Sequence, residues 1–93
     1  QDGILIVVIT MDKQKGCVVA GPDIVSRGFV YVRESEHLME EAKDKVKQAL
    51  EKCESNNITE WAAIKSNVRD TLGKHLYEKT RRRPMILPII MEV

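Results

Sequence analysis

Lys79, Arg81, Arg82 and Arg83 put four cations into five consecutive positions. Cations at that density are the side chains that hold phosphate, so the chemistry on offer is recognition of RNA or another phosphate-rich partner. Lys74 precedes the run, and Tyr77 could offer a stacking face beside it. An interleaved aromatic platform of the kind that single-strand binders use is missing. Arg27 and Arg33 are weaker candidates of the same kind. The same residues also have an internal use. Cations at the end of a helix complement its dipole, and Arg27 and Arg33 could anchor to Asp23, Glu34 or Glu92. Both uses stay open on sequence grounds, with Lys79, Arg81, Arg82, Arg83 and Arg27 as the RNA-contact candidates.

Groups that could break bonds are scarcer. His37 and His75 are the only histidines, and neither has a second histidine, cysteine or carboxylate at a metal-ligand spacing. Both read as exposed helix positions. Ser26 sits in S-R-G and not in a nucleophile elbow. Gly21 and Gly28 are isolated, so no phosphate-cradling loop forms. Cys17 and Cys53 read as small buried hydrophobes in a reducing compartment. No catalytic residue, metal set or cofactor site is expected in this chain.

Ninety-three residues allow one small domain. Hydrophobic residues make up 43% and charged residues 31%, too apolar a balance for a disordered chain. A net charge of +1 creates no global field, so any nucleic-acid role must be local. Phe29, Tyr31, Trp61 and Tyr77 are the only aromatics, so the core must be aliphatic. No apolar stretch approaches the ~20 residues of a membrane span. A chain opening on Gln1 suggests a piece of something longer.

These candidates need elements to position them. Ile4 to Met11, ILIVVITM, is a β-branched run that reads as a strand. Asp12 to Gly16 reverses the chain, making residues 4 to 21 a hairpin. Gly21-Pro22 and Ser26-Arg27-Gly28 then interrupt the ladder, and FVYV after them is a short strand or an ordered loop. A first helix starts at Ser35 as N-cap with Glu36 in the first turn, and carries the stripe Leu38, Ala42, Val46, Ala49, Leu50 and Cys53. Ser55 to Asn57 stops it. A second helix, capped by Thr59 with Ile58 stapled onto Ala63, carries Trp61, Ile64, Val68, Leu72 and Leu76. Pro84 ends it, and MILPIIMEV forms the last strand with Pro88 on an edge or bulge. The fold class is α+β: a two-layer sandwich in β-β-α-α-β order, with a three-stranded mixed or antiparallel sheet against two helices.

Both terminal strands are apolar on both faces. Leu5, Val7, Ile9 and Met11 oppose Ile4, Ile6 and Val8, while Leu87, Ile89, Met91 and Val93 oppose Ile86, Pro88 and Ile90. Two helices cover only one face of a sheet. The other face is expected to dock a partner through Ile4, Ile6, Val8, Ile86, Pro88 and Ile90, unless the segment from Pro22 to Arg33 folds back over it.

GPDIVSRGFVYVRES (Gly21 to Ser35) and EKTRRRPMILPIIMEV (Glu78 to Val93) resemble the C-terminal domain of bacterial ribonuclease J. The resemblance spans nearly the whole chain, and its end at P-I-I-M-E-V looks like the natural terminus of that family. It implies a C-terminal appendage, residues 1 to 93, of a cytoplasmic metallo-β-lactamase-fold nuclease with a β-CASP insertion. Such enzymes process RNA by 5′-to-3′ exonucleolytic and endonucleolytic cleavage with two zinc ions. The H-x-H-x-D-H ligands belong to catalytic domains absent from this chain, so none maps onto it. The appendage is implicated in subunit assembly and full activity. Its implied partners are its own catalytic domains or another copy, with RNA as the parent's substrate and no membrane.

Overall fold

The computed structural model describes residues 3–12, 14–28 and 36–93, with nothing described of the Glu36 side chain. Strand β1 spans Ile4–Met11, β2 Val18–Arg27, α1 Glu36–Ser55, α2 Trp61–Thr80 and β3 Met85–Glu92. The sheet order is β2-β1-β3. β1 pairs antiparallel with β2 and parallel with β3, so the sheet is mixed and the most apolar strand is central. The α+β class and the β-β-α-α-β order match expectation.

The hairpin turn is built by Asp12. Its Oδ1 accepts from the Gln14 and Lys15 amides at 2.8 and 2.9 Å, and its carbonyl accepts from the Gly16 amide at 2.8 Å. Gly16 sits at φ 67°, which glycine adopts without cost. Beyond the turn β2 does not break at Gly21-Pro22 as the composition suggested. It continues to Arg27, with a register irregularity between the Val8 and Thr10 pairings that accommodates the proline. The peptide between Gly21 and Pro22 is cis. The FVYV stretch, Arg33 and Ser35 lie outside the described residues.

Helix α1 ends in a six-residue closure. The Asn57 amide donates to the Glu54 carbonyl at 3.1 Å and the Ile58 amide to the Cys53 carbonyl at 2.8 Å, with Asn57 left-handed at φ 56°. Ile58 packs against the core here. Helix α2 begins at Trp61, with Glu60 as N-cap and no side-chain cap bond, so Thr59 does not cap it. Trp61, at the first position, is 40% exposed and stands outside the core stripe that the spacing assigned it. At the other end Arg81 adopts φ 60° and donates its amide to the Tyr77 carbonyl at 2.8 Å.

The core lies between the helices and one sheet face. Leu5, Val7 and Ile9 meet Val46, Ile64, Val68, Leu72 and Leu76, all at 1% exposure or less. Each such side chain contributes about 1.5–3 kcal/mol by burial. The in-register parallel pairing sets Leu5 beside Ile86, Val7 beside Pro88 and Ile9 beside Ile90. Ile86, Pro88 and Ile90 therefore face the helices, and the docking face expected to contain them does not. At Gly73 a Cβ would stand 3.5 Å from Ile86 Cδ1, an ordinary contact, so the approach of α2 to β3 does not require glycine there.

Gly21 is required by its surroundings. It sits at φ 86°, and an added Cβ would lie 2.8 Å from the Val8 carbonyl oxygen of the central strand. A backbone atom in a paired strand cannot give way. Gly21→Ala is expected to destabilise the domain by about 2–3 kcal/mol in urea titration, with Gly16→Ala, which meets nothing within 4 Å, costing about 1–2 from its left-handed φ alone.

Candidate docking face and basic cluster

The sheet face turned away from the helices is apolar along most of β1 and β3, while β2 contributes Val25 between Asp23 and Arg27. Ile4, Ile6 and Val8 are half-buried along β1, while Met85, Leu87, Ile89 and Met91 of β3 stand beside them, exposed. The β3 side chains are 54, 42, 45 and 53% exposed, values typical of charged surface positions and not of aliphatic ones. Val25 of β2 completes the patch opposite Ile6. The expected face is thus present with Ile4, Ile6 and Val8. Its β3 members are Leu87, Ile89, Met85 and Met91 in place of Ile86, Pro88 and Ile90. Of the segment from Pro22 to Arg33 that could fold back over it, residues 22 to 27 form the edge strand, and residues 29 to 33 lie outside the described residues.

Both edges of this sheet are capped chemically. The Met85 amide donates to Gly3 and the Val93 amide to Met11, so odd-numbered β3 residues bond to β1. Pro88 falls in the alternate set, whose groups point away from the sheet, and it has no donor to offer there. Pro22 does the same on β2. Lengthening the sheet by a further strand meets a missing hydrogen bond on either side, whereas the apolar face is open.

The basic cluster is held by its own helix end. The Arg81 guanidinium lies 5.4 Å and that of Arg83 4.4 Å from the Tyr77 ring centroid, and Arg81 also caps α2. The Arg82 amide donates to Thr80 Oγ1 at 3.1 Å, and Thr80 Oγ1 donates to the Leu76 carbonyl at 2.7 Å. Lys79 occupies the last turn of α2, where a cation complements the helix dipole. Arg69, Asp70, Lys74, Tyr77, Arg83 and Met85 are among the residues lining an open groove of about 660 Å³. Arg27 lies two strands from Met85 in the same row of the sheet, roughly 10 Å across, and donates to the Ser26 carbonyl.

His75 departs from expectation. It is 6% exposed, not a surface position, and its Nε2 has no hydrogen-bond partner. Three residues after Leu72 and seven after Val68, it falls on the flank of α2 where α1 packs. Burial depresses its pKa, and the opposed charges of Glu41 and Glu78 against Lys45 and Lys79 modify that only secondarily. His37 is exposed. Burial raises the Cys53 thiol above its ordinary value, with Lys52 opposing. Among the described residues no three of His, Cys, Asp or Glu gather as metal ligands. No described helix is long and apolar enough to cross a membrane.

Fold and surface together define a small α+β domain that closes its own core yet leaves one sheet face greasy. The chain belongs to the ribonuclease J C-terminal domain family, whose sequence model matches residues 1–93. It is 56% identical over all 93 residues to Ribonuclease J2 of Bacillus subtilis (strain 168). It is 50% identical over the same length to Ribonuclease J 2 of Staphylococcus epidermidis and of Staphylococcus aureus (strain NCTC 8325 / PS 47). The chain spans 17% of the length of each.

The environment of His75 sets a pH dependence. Its pKa in the folded state lies below the unfolded value of 6.5, so below that pH the unfolded chain binds a proton that the folded one resists. Stability is therefore lost as pH falls through about 6.5. In urea titrations at about pH 7.5 and 5.5, the native chain is expected to weaken at the lower pH, and His75→Leu to flatten that change.

Proposed function

We propose that this domain is a non-catalytic assembly and support module of a ribonuclease J-like, RNA-degrading enzyme, docking through its open sheet face. The observation that carries the reading is the exposed row Met85, Leu87, Ile89 and Met91 beside Ile4, Ile6 and Val8. A contiguous aliphatic surface of this kind is a contact site in a water-soluble domain. The occupant is another copy or the enzyme's own catalytic domains. RNA is the substrate of the whole enzyme. Zinc chemistry, and exonucleolytic and endonucleolytic cleavage, belong in this reading to residues outside this chain, in a cytoplasmic protein. Leu87→Glu and Ile6→Glu put a charge in the patch without entering the core. In the intact enzyme each is expected to shift the oligomer distribution in light scattering and to lower ribonuclease activity. Unchanged assembly together with unchanged activity would sink the proposal.

A second reading is an accessory RNA contact through Arg81, Arg82 and Arg83, of which Arg83 lines the groove beside Arg69 and Lys74. Single-stranded RNA would then bind with a salt-dependent affinity, and Arg82→Ala would reduce the salt slope by about 0.7 for one lost phosphate contact. Fluorescence anisotropy with a labelled oligonucleotide at low salt measures it. Absence of binding there removes this reading.

A further inference from the structure

The groove between α2 and β3 has two chemically different walls. Arg69 and Lys74 stand exposed on the α2 side, and Arg83 joins them from the connection to β3. Asp70 is the one acid among the described lining residues. From β3 come Met85 and Leu87, 54 and 42% exposed. Three cations against one acid is a local excess, because the rest of the chain holds twelve cations and thirteen acids. The volume of about 660 Å³ lies within the range of roughly 300–1,000 Å³ that ligand sites occupy.

The two walls keep a common spacing. Gly73 faces Ile86 and Tyr77 faces Arg83, so α2 and β3 run antiparallel beside the groove. Arg69 and Lys74 are set roughly 7.5 Å apart along the helix axis, and their long stems give both charges reach. Met85 and Leu87 are set roughly 6.6 Å apart along the strand. In an extended peptide the side chains on one side repeat at that same ~6.6 Å, and those between them point the other way. A segment alternating acidic and aliphatic residues therefore offers carboxylates to Arg69 and Lys74 while laying hydrocarbon against Met85 and Leu87.

We propose that this groove binds an extended acidic segment of a partner protein, its carboxylates on Arg69 and Lys74 and its aliphatic side chains against Met85 and Leu87. Charge complementarity and the apolar wall together select this occupant. A polynucleotide uses only half of the site. Its phosphates suit the cations, but the aliphatic wall offers a sugar–phosphate backbone no hydrogen bond. The Tyr77 ring already carries the Arg81 and Arg83 guanidinium groups, so the groove presents bases with no bare aromatic face. Recognition here runs through side chains, because Pro88 interrupts the donors along that edge. The segment is an occupant additional to whatever covers the rest of the open sheet face.

Fluorescence anisotropy on the 93-residue chain, whose core is closed by its own residues, tests the site. The probes are a labelled short peptide alternating Glu and Leu, the same peptide with Ser in place of every Leu, and an oligouridylate of equal length. At low salt the Glu–Leu peptide is expected to bind, and to weaken as salt is raised. Its affinity is expected to fall roughly tenfold for the double variant Arg69→Glu, Lys74→Glu, and by a similar factor when Ser replaces Leu. Both substituted positions are exposed, and circular dichroism confirms that the variant keeps its fold. A Glu–Leu peptide that fails to bind at millimolar concentration overturns the proposal. So does undiminished binding to the double variant, which places the peptide elsewhere, or equal binding of the Ser peptide, which leaves the apolar wall unused. Tighter binding of the oligouridylate than of the Glu–Leu peptide also overturns it and hands the groove to the RNA-contact reading.

Discussion

The structure depends on the parallel pairing of the first and last strands. Ile4–Met11 and Met85–Glu92 are joined residue for residue across the whole of their length. Because side chains alternate along a strand, that register alone decides which half of β3 shares a side with Leu5, Val7 and Ile9. It sends Ile86, Pro88 and Ile90 to the helices and turns Met85, Leu87, Ile89 and Met91 outward. A slip of one residue would exchange the sets. The helical hairpin between β2 and β3 makes this pairing possible, since adjacent parallel strands need a long crossover.

Once the register is set, the two faces meet different fates for a reason of supply. Two helices of 20 residues shield one side of three strands and no more. The hydrocarbon on the far side is then surplus to the fold. It adds nothing to the core, and water gains no favourable contact with it. That surplus is the observation on which the proposed assembly role rests, more directly than on any single residue. The prolines on both edges push the same way, leaving the face as the side of the sheet where a partner loses no hydrogen bonds.

The charged features divide between structure and surface. Arg81 and Arg83 are used on Tyr77, and Arg81 in capping α2, so the density of cations near residue 82 has an internal cause before any external one. Cation–π contacts of this kind are worth about 0.5–1 kcal/mol at exposed sites. They stiffen the joint between α2 and β3, the segment that delivers β3 to its register. Arg27, by contrast, stands on the far edge strand, where it donates to the Ser26 carbonyl at 3.1 Å.

Periodicity and punctuation in the sequence made most of the elements legible. The i, i+4 stripes of both helices, the Asp12–Gly16 reversal, the stop at Asn57 and the edge position of Pro88 follow from local chemistry that acts over a turn or two. The surplus of apolar residues on two strands was legible for the same reason, because alternation can be counted. What local chemistry could not say was which surplus faces out. Both halves of MILPIIMEV are equally greasy, and only pairing with β1, some eighty residues away, breaks the tie. The burial of His75 was hidden likewise, since a histidine between two leucines on a helix is exposed or enclosed according to where the neighbouring helix lies. Trp61 erred in the opposite sense, its spacing fitting the stripe while its place at the helix start lies beyond the core. Short-range patterns act through the chain, whereas inside and outside are properties of the packed sheet, and only the tertiary structure defines them.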